Sequence, residues 1–213
     1  IARSQSQLFA VPFEHHILVV PVLCRPPPFS LPALFRSSSY RVYVESAGGM
    51  SVTIHTTAGD IKIEVSCDLV PHAAKNFLAH CAAGAYNGTL MHRVVPGFIC
   101  QGGLPPTGGA KDQRSWDGQH LNDEFNSLLR HDKRGVVAFA NKGPNTNAVQ
   151  FYITFDAASH LDNVSTIFGR VIDGWSTLDA IEKVRCGAKN RPINEILINS
   201  ATVHANPIAD LES

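Results

Sequence analysis

The sequence predicts a mainly β fold, a closed antiparallel β-barrel with two α-helices. Three observations predict it. Short apolar runs with a period of two recur from residue 51 to residue 204, turn-forming residues separate them, and only two stretches carry a helical stripe. Many short strands with few helices favour a closed antiparallel sheet over alternating βαβ units.

The first two strands form a hairpin. Val52 and Ile54 alternate with Thr53 and His55, and Ile61, Ile63 and Val65 with Lys62 and Glu64, across the turn TAGD at 57–60. A helix follows, with Asp68 or Val70 ahead of Pro71 and an apolar stripe of Ala74, Phe77, Leu78 and Cys81 that ends before Gly84. Residues 91–101 alternate through Val95, Phe98 and Cys100, and Pro96 and Gly97 break them into two short strands. Residues 102–112 read as a loop. Strands are predicted at 134–140 through Val136, Val137 and Phe139, at 148–154 through Val149, Phe151 and Ile153, and at 165–172 through Ile167, Phe168 and Val171. The second helix covers 176–184, with Leu178 and Ile181 as its apolar face and Ser176 as N-cap. A last strand covers 194–204, where a change of phase between Ile198 and Ala201 predicts a bulge.

The length of 213 residues allows one domain with a sizeable core, here residues 50–207, and a polar tail at 208–213. Eighteen basic residues balance eighteen acidic ones, so no global field favours nucleic acid or a membrane surface. The five cysteines are scattered and never in CxxC spacing, and the ten histidines form no ligand pattern, so a reduced intracellular protein without metal or other cofactor is expected. Residues 1–49 differ in composition and read as an N-terminal extension. Their best apolar run, 17–24, is interrupted by Pro21 and is far shorter than the ~20 residues of a membrane span. A disordered leader ahead of Met50 is the expected state, and an organelle-targeting role stays open beside it.

The chain is organised around residues 139–154, FANKGPNTNAVQFYIT, with MHRVVPGFICQGG at 91–103 as partner. The NKGPNTN stretch crowds together residues that favour turns and side-chain bonds to the backbone, so it presents fixed amides and carbonyls beside a strand. Gln150, polar inside an apolar strand, either faces solvent or reaches into a ligand site. The two segments, with LD and FG at 161–169, resemble the cyclophilin family of peptidyl-prolyl cis-trans isomerases in both order and spacing. SVTIHT near Met50 and HANP at 204–207 are most similar to a subgroup of that family associated with spliceosomes.

The resemblance implies an eight-stranded barrel capped by a helix at each end, with the active groove on the outer wall. It assigns Arg93 as the cation that hydrogen-bonds the prolyl nitrogen, Gln101 as the residue orienting Arg93 and the substrate carbonyl, and Asn141 as the holder of the substrate backbone through its own main chain. Phe98, Ile99, Tyr152 and Leu161 would seat the proline ring, and Ala140, Gln150, His160 and Ser165 would line the rest of the groove. Taken singly, the apolar ones are ordinary core residues and Arg93 an ordinary surface charge; the surrounding motif is what singles them out.

The sequence departs from the family pattern at several of these positions. Leu104 follows Gly103 where Asp is usual, and the loop then reads PPTGGAKDQRSW, which bears on preference for the residues preceding proline. Tyr152 stands where phenylalanine is usual and adds a hydroxyl that needs a partner. His160 replaces the tryptophan, and Ile99 the methionine, of drug-sensitive members, so weak or no cyclosporin binding is expected. Ser165 replaces a pocket histidine or tyrosine and leaves one wall open, while Ala148 and Val149 replace Gly-Ser and narrow the groove. Two functions remain in view: an isomerase acting on proline-containing peptides and proteins in the nucleus or cytoplasm, and a binding module of low or no activity that recognises a proline segment of a spliceosomal assembly. A general folding helper in an organelle rests on residues 1–49 alone.

Overall fold

Alternation sets the hairpin. In the computed structural model, which describes residues 49–105 and 114–204, β1 (Met50–Thr56) pairs with β2 (Gly59–Val65), and Thr56 stands opposite Gly59 across a two-residue turn. The Thr56 hydroxyl locks the turn by donating to the Gly59 carbonyl (2.7 Å) and accepting from the Ala58 N–H (3.1 Å). The readings of residues 1–48, of the tail from 205 on and of most of the loop at 106–113 lie outside the described residues.

Helix α1 (Pro71–Ala82) starts at the predicted proline, but no side chain of its own segment caps it. Glu124, 51 residues downstream, supplies the acceptor: its carboxylate receives the Ala73 N–H at 2.8 Å and the His72 N–H at 3.4 Å. A negative group at a helix N-terminus satisfies orphan donors and opposes the dipole, so the same residue anchors the helix and the long segment after residue 114.

Seven further strands follow: β3 (Thr89–Leu90), β4 (Arg93–Val95), β5 (Ile99–Gly102), β6 (Val136–Phe139), β7 (Phe151–Thr154), β8 (Ile167–Asp173) and β9 (Leu197–His204). All pairings are antiparallel, in the order β3-β9-β1-β2-β8-β6-β7-β5-β4. The two end strands are consecutive in the chain. Met91 N–H donates to the Ile196 carbonyl beside β9, and His92 N–H to the Gln101 carbonyl of β5, both at 2.9 Å, so one segment joins the two edges of the curled sheet. The sheet has nine strands because the segment before Pro96 is used in two pieces, one for each edge. The expected bulge in the last strand is present: the β1–β9 register skips a residue between His55 and Thr56, opposite Ser200 and Ile198.

The strand expected over 148–154 begins only at Phe151. Its first carbonyls are taken by side chains instead: Asn76 of α1 donates to the Ala148 carbonyl and the Tyr86 hydroxyl to that of Val149, each at 2.8 Å. Helix α2 (Trp175–Glu182) also corrects an expectation, since its N-cap is Gly174 and Ser176 lies within the first turn. Gly174 has φ +86°, and a Cβ there would collide with the Asp60 carbonyl, so a tight backbone approach rather than side-chain capping starts this helix.

Inside the barrel, Val52, Ile54, Ile61, Ile63, Val94, Cys100, Val137 and Ile153 are fully or almost fully buried, and the aromatic rings of Phe77, Phe139, Phe151 and Phe168 fill the end under α1. A second, smaller apolar cluster of Ile99, Val136, Ala138, Tyr152 and Ile167 lies apart from this core.

Candidate active site on the outer wall

The small cluster follows from strand alternation. Val94, Cys100, Ile153 and Val137 oppose one another across β4, β5, β7 and β6 and point into the barrel. Their neighbours must point outward. In register these are Arg93 opposite Gln101, Gln101 opposite Tyr152, and Tyr152 opposite Ala138, a row running across four strands on the outer face. Ile99 lies on the same face, two residues from Gln101. Phe98, Leu129, Ala140 and Leu161 pack onto the cluster as half-buried residues. A patch of outer wall is thus apolar, with Arg93 and Gln101 along one side.

Loops hold the other parts. Phe98 sits in the turn between β4 and β5, where Gly97 N–H donates to the Glu182 carboxylate of α2 (2.8 Å). Glu182 also receives Arg134 (2.5 Å), whose guanidinium reaches Asp179 as well (2.6 Å). His160 and Leu161 lie on a single 3-10 turn, Ser159–Leu161, and the exposed His160 ring stacks on Phe98 with centroids 5.3 Å apart and planes at 26°. The NKGPNTN stretch is clamped from within and from outside. Thr146 Oγ1 accepts from Lys142 N–H and donates to the Gly143 carbonyl, Asp123 and Asn145 exchange two bonds of 2.8 and 2.9 Å, and Asn147 pairs with Leu121 through the main chain. Asn145 adopts φ +58°, a left-handed conformation that asparagine tolerates.

Eight of the eleven predicted site residues, Arg93, Phe98, Ile99, Gln101, Ala140, Tyr152, His160 and Leu161, are brought to this one face by strand register or direct packing. Gln150 joins them through Gln101, whose amide donates to its side-chain oxygen at 2.9 Å. That bond differs from the expected one, in which Gln101 held Arg93. The half-buried Arg93 guanidinium has no hydrogen-bond or ion-pair partner among the described residues, and Gln101 engages the neighbour that can receive its N–H. Asn141 turns its side chain away, donating to the Val164 carbonyl at 2.7 Å, while its main-chain N–H and C=O have no partner among the described residues. Ser165 is buried beside a small cleft lined by Glu124, Phe125, Leu129 and Ile167.

The Tyr152 hydroxyl has the partner that its burial requires, the His131 ring at 2.8 Å. Burial pushes the phenol well above its ordinary pKa, so it stays an O–H donor at any working pH. Sequence reasoning missed His131, Asp162, Asp123 and Glu124. His131, Asp123 and Glu124 lie in stretches without strand or helix period, Asp162 enters the reading only as part of the LD pair with no role of its own, and each acts on an element far away in sequence, which a local pattern does not reveal.

The chain matches the family model "Cyclophilin type peptidyl-prolyl cis-trans isomerase/CLD" over residues 51–203. It is 53% identical over 167 residues to the peptidyl-prolyl cis-trans isomerase-like 3 of Rhizopus delemar, covering 76% of this chain and 98% of that protein. The human protein of the same name is 50% identical over 161 residues, covering 75% and 99%. Among solved structures, a Cryptosporidium parvum cyclophilin-type isomerase crystallised in the presence of the dipeptide Ala-Pro aligns with a TM-score of 0.69 at 41% identity, covering 73% of this chain and 99% of that one.

Proposed function

Because the chain belongs to the cyclophilin-type peptidyl-prolyl cis-trans isomerase family, we propose that its outer-wall groove turns Xaa-Pro bonds with Arg93 as the catalytic residue. The observation that carries this reading is the row Arg93–Gln101–Tyr152 beside an apolar patch: one unengaged cation next to a seat for a ring.

Rotation about the bond before proline is slow because amide resonance imposes a barrier of ~18–20 kcal/mol, although cis and trans differ little in stability. As the bond twists, resonance is lost and the prolyl nitrogen regains a lone pair. A guanidinium donating to that nitrogen stabilises the twisted state and not the planar one, which is the differential binding that accelerates a reaction. Arginine is suited to it, being always charged and offering a rigid fork of donors. Phe98, Ile99, Tyr152 and Leu161 hold the ring, the main chain of Asn141 holds the peptide, Gln101 and Gln150 face its carbonyl side, and Ala140, His160 and Ser165 complete the lining. The step needs no nucleophile and no general base. Cis/trans exchange of an Ala-Pro peptide measured by NMR tests it: acceleration by the chain is expected, and peptide shifts without acceleration would leave a proline-peptide receptor.

The likeness of SVTIHT and HANP to a spliceosome-associated subgroup supports proteins of the splicing machinery, in the nucleus, as clients of the groove. Recovery of splicing factors on this chain from nuclear extract is the expected result; recovery of none would remove that assignment.

Cyclosporin is expected to bind at least about tenfold more weakly than to members carrying tryptophan at the position of His160, a loss of ~1.4 kcal/mol or more. The His160 ring offers less area than an indole and is already stacked on Phe98. Calorimetry decides it, nanomolar affinity being the contrary outcome.

A further inference from the structure

His131 belongs to none of the roles assigned above, yet its ring is fully buried and all four of its polar groups are engaged. Its main-chain N–H donates to Asp162 Oδ1 at 2.8 Å, and its carbonyl accepts the Ala158 N–H at 2.8 Å. In the ring, Nδ1 lies 3.0 Å from the same Asp162 oxygen and Nε2 lies 2.8 Å from the Tyr152 hydroxyl. An ionised carboxylate only accepts, so Nδ1 carries the hydrogen and donates to Asp162, and Nε2 is left to accept from the Tyr152 O–H. Burial lowers the pKa of the ring, against the opposing pull of Asp162, and this agrees with the neutral form that the bond pattern uses. For Asp162, burial works against ionisation, but the bonds from His131 hold its carboxyl below the ordinary range.

The two partners belong to different walls of the groove. Tyr152 stands on β7 in the row with Gln101 and Arg93. Asp162 is the residue after Leu161 and closes the 3-10 turn that carries His160 and Leu161. The imidazole therefore spans the sheet wall and the turn wall of the proline seat. We infer that His131 is a positioning residue that sets the width of that seat through the chain Asp162–His131–Tyr152, an inference that rests on the isomerase reading of the groove. The hydroxyl of Tyr152 then has a use: it is the point at which the strand is tied to the turn.

The full chain is compared with His131→Asn, His131→Gln, Tyr152→Phe and the double variant His131→Asn/Tyr152→Phe, by exchange kinetics on an Ala-Pro peptide and by NMR of the free protein. Asn keeps a donor near Nδ1 and loses the tie to Tyr152; Gln reaches towards the Nε2 position and retains it. Loss of one such bond is expected to raise KM by about three- to tenfold in His131→Asn with kcat little changed. Tyr152→Phe reproduces most of that rise, the double variant adds little to it, and His131→Gln recovers part. In the free protein, ring 15N shifts report the Nδ1–H tautomer, and the Leu161 methyl shifts move in both single variants that break the tie. An Nε2–H tautomer, additive effects, or a lowered Tm with KM and Leu161 shifts unchanged would each overturn the inference. Should His131→Asn fail to fold, Tyr152→Phe and the tautomer decide. A wild-type chain that neither binds nor turns the peptide refutes the isomerase reading, while the tautomer and the Leu161 shifts still decide whether His131 ties the two walls.

Discussion

Arg93→Ala is expected to lower kcat/KM for an Ala-Pro peptide by about 100- to 1000-fold, the range found when one donor aimed at a transition-state charge is removed. Most of the fall belongs in kcat, because the planar ground state gives the guanidinium little to bind and the twisted nitrogen gives it a lone pair. Stability should hardly change: Arg93 is half-buried at the outer face and has no ion-pair or hydrogen-bond partner among the described residues. Arg93→Lys keeps the charge but loses the fork, so it should recover only a small part of the rate. NMR exchange rates and a thermal melt, taken on the same samples, check both halves of the expectation. A fall of less than about threefold, near ~0.6 kcal/mol, in a well-folded variant would move the catalytic role away from Arg93.

The legibility of this chain differs between its strands and its ties. Period-two alternation located β1, β2, β4, β5, β6, β8 and β9 within a few residues, since a half-buried strand has to alternate. It located β4 but not its phase: the expected alternation ran through Val95 and Phe98, whereas the register turns Val94 inward with Cys100 and Ile153, leaving Arg93, Gln101 and Tyr152 on the outer wall. The assignment of roles to those residues came from the family resemblance, because alternation alone does not tell an outward Arg at a groove from an outward Arg in water. Besides the two-residue β3, too short to alternate, three features escaped. The start of β7 depends on Asn76 and Tyr86, whose side chains take the carbonyls of Ala148 and Val149. The cap of α1 comes from Glu124 and that of α2 from the backbone fit at Gly174. His131 acts through Asp162 and Tyr152, 31 and 21 residues away. Apart from the close backbone approach at Gly174, these are long-range polar contacts, and a local pattern carries no information about which distant side chain will satisfy a given carbonyl, amide or ring nitrogen.

Phe77→Ala is expected to cost about 3–5 kcal/mol, the range for deleting a large aromatic from a close-packed core. The ring is fully buried on α1 and meets three others, Phe168 at 4.6 Å, Tyr86 at 5.7 Å and Phe151 at 6.0 Å between centroids. These belong to β8, to the segment after α1 and to β7, so one side chain joins the helix to both flanks of the barrel end. No neighbour can close the gap cheaply: Phe151 and Phe168 sit on strands that are each paired with β6, and the Tyr86 hydroxyl is held by the Val149 carbonyl. Against a typical stability of about 5–15 kcal/mol, such a loss leaves a marginal protein. Urea denaturation of the variant beside Phe77→Leu measures it, and a cost below about 1 kcal/mol would mean that α1 is held by something other than this ring cluster. Activity should part company with stability here. Phe151 points inward and Tyr152 outward on the same strand, so at a temperature where the variant remains folded its kcat/KM should stay within about threefold of the parent, as for sites that share no partner. A large loss of activity in folded Phe77→Ala would show instead that the inner and outer faces of β7 move together.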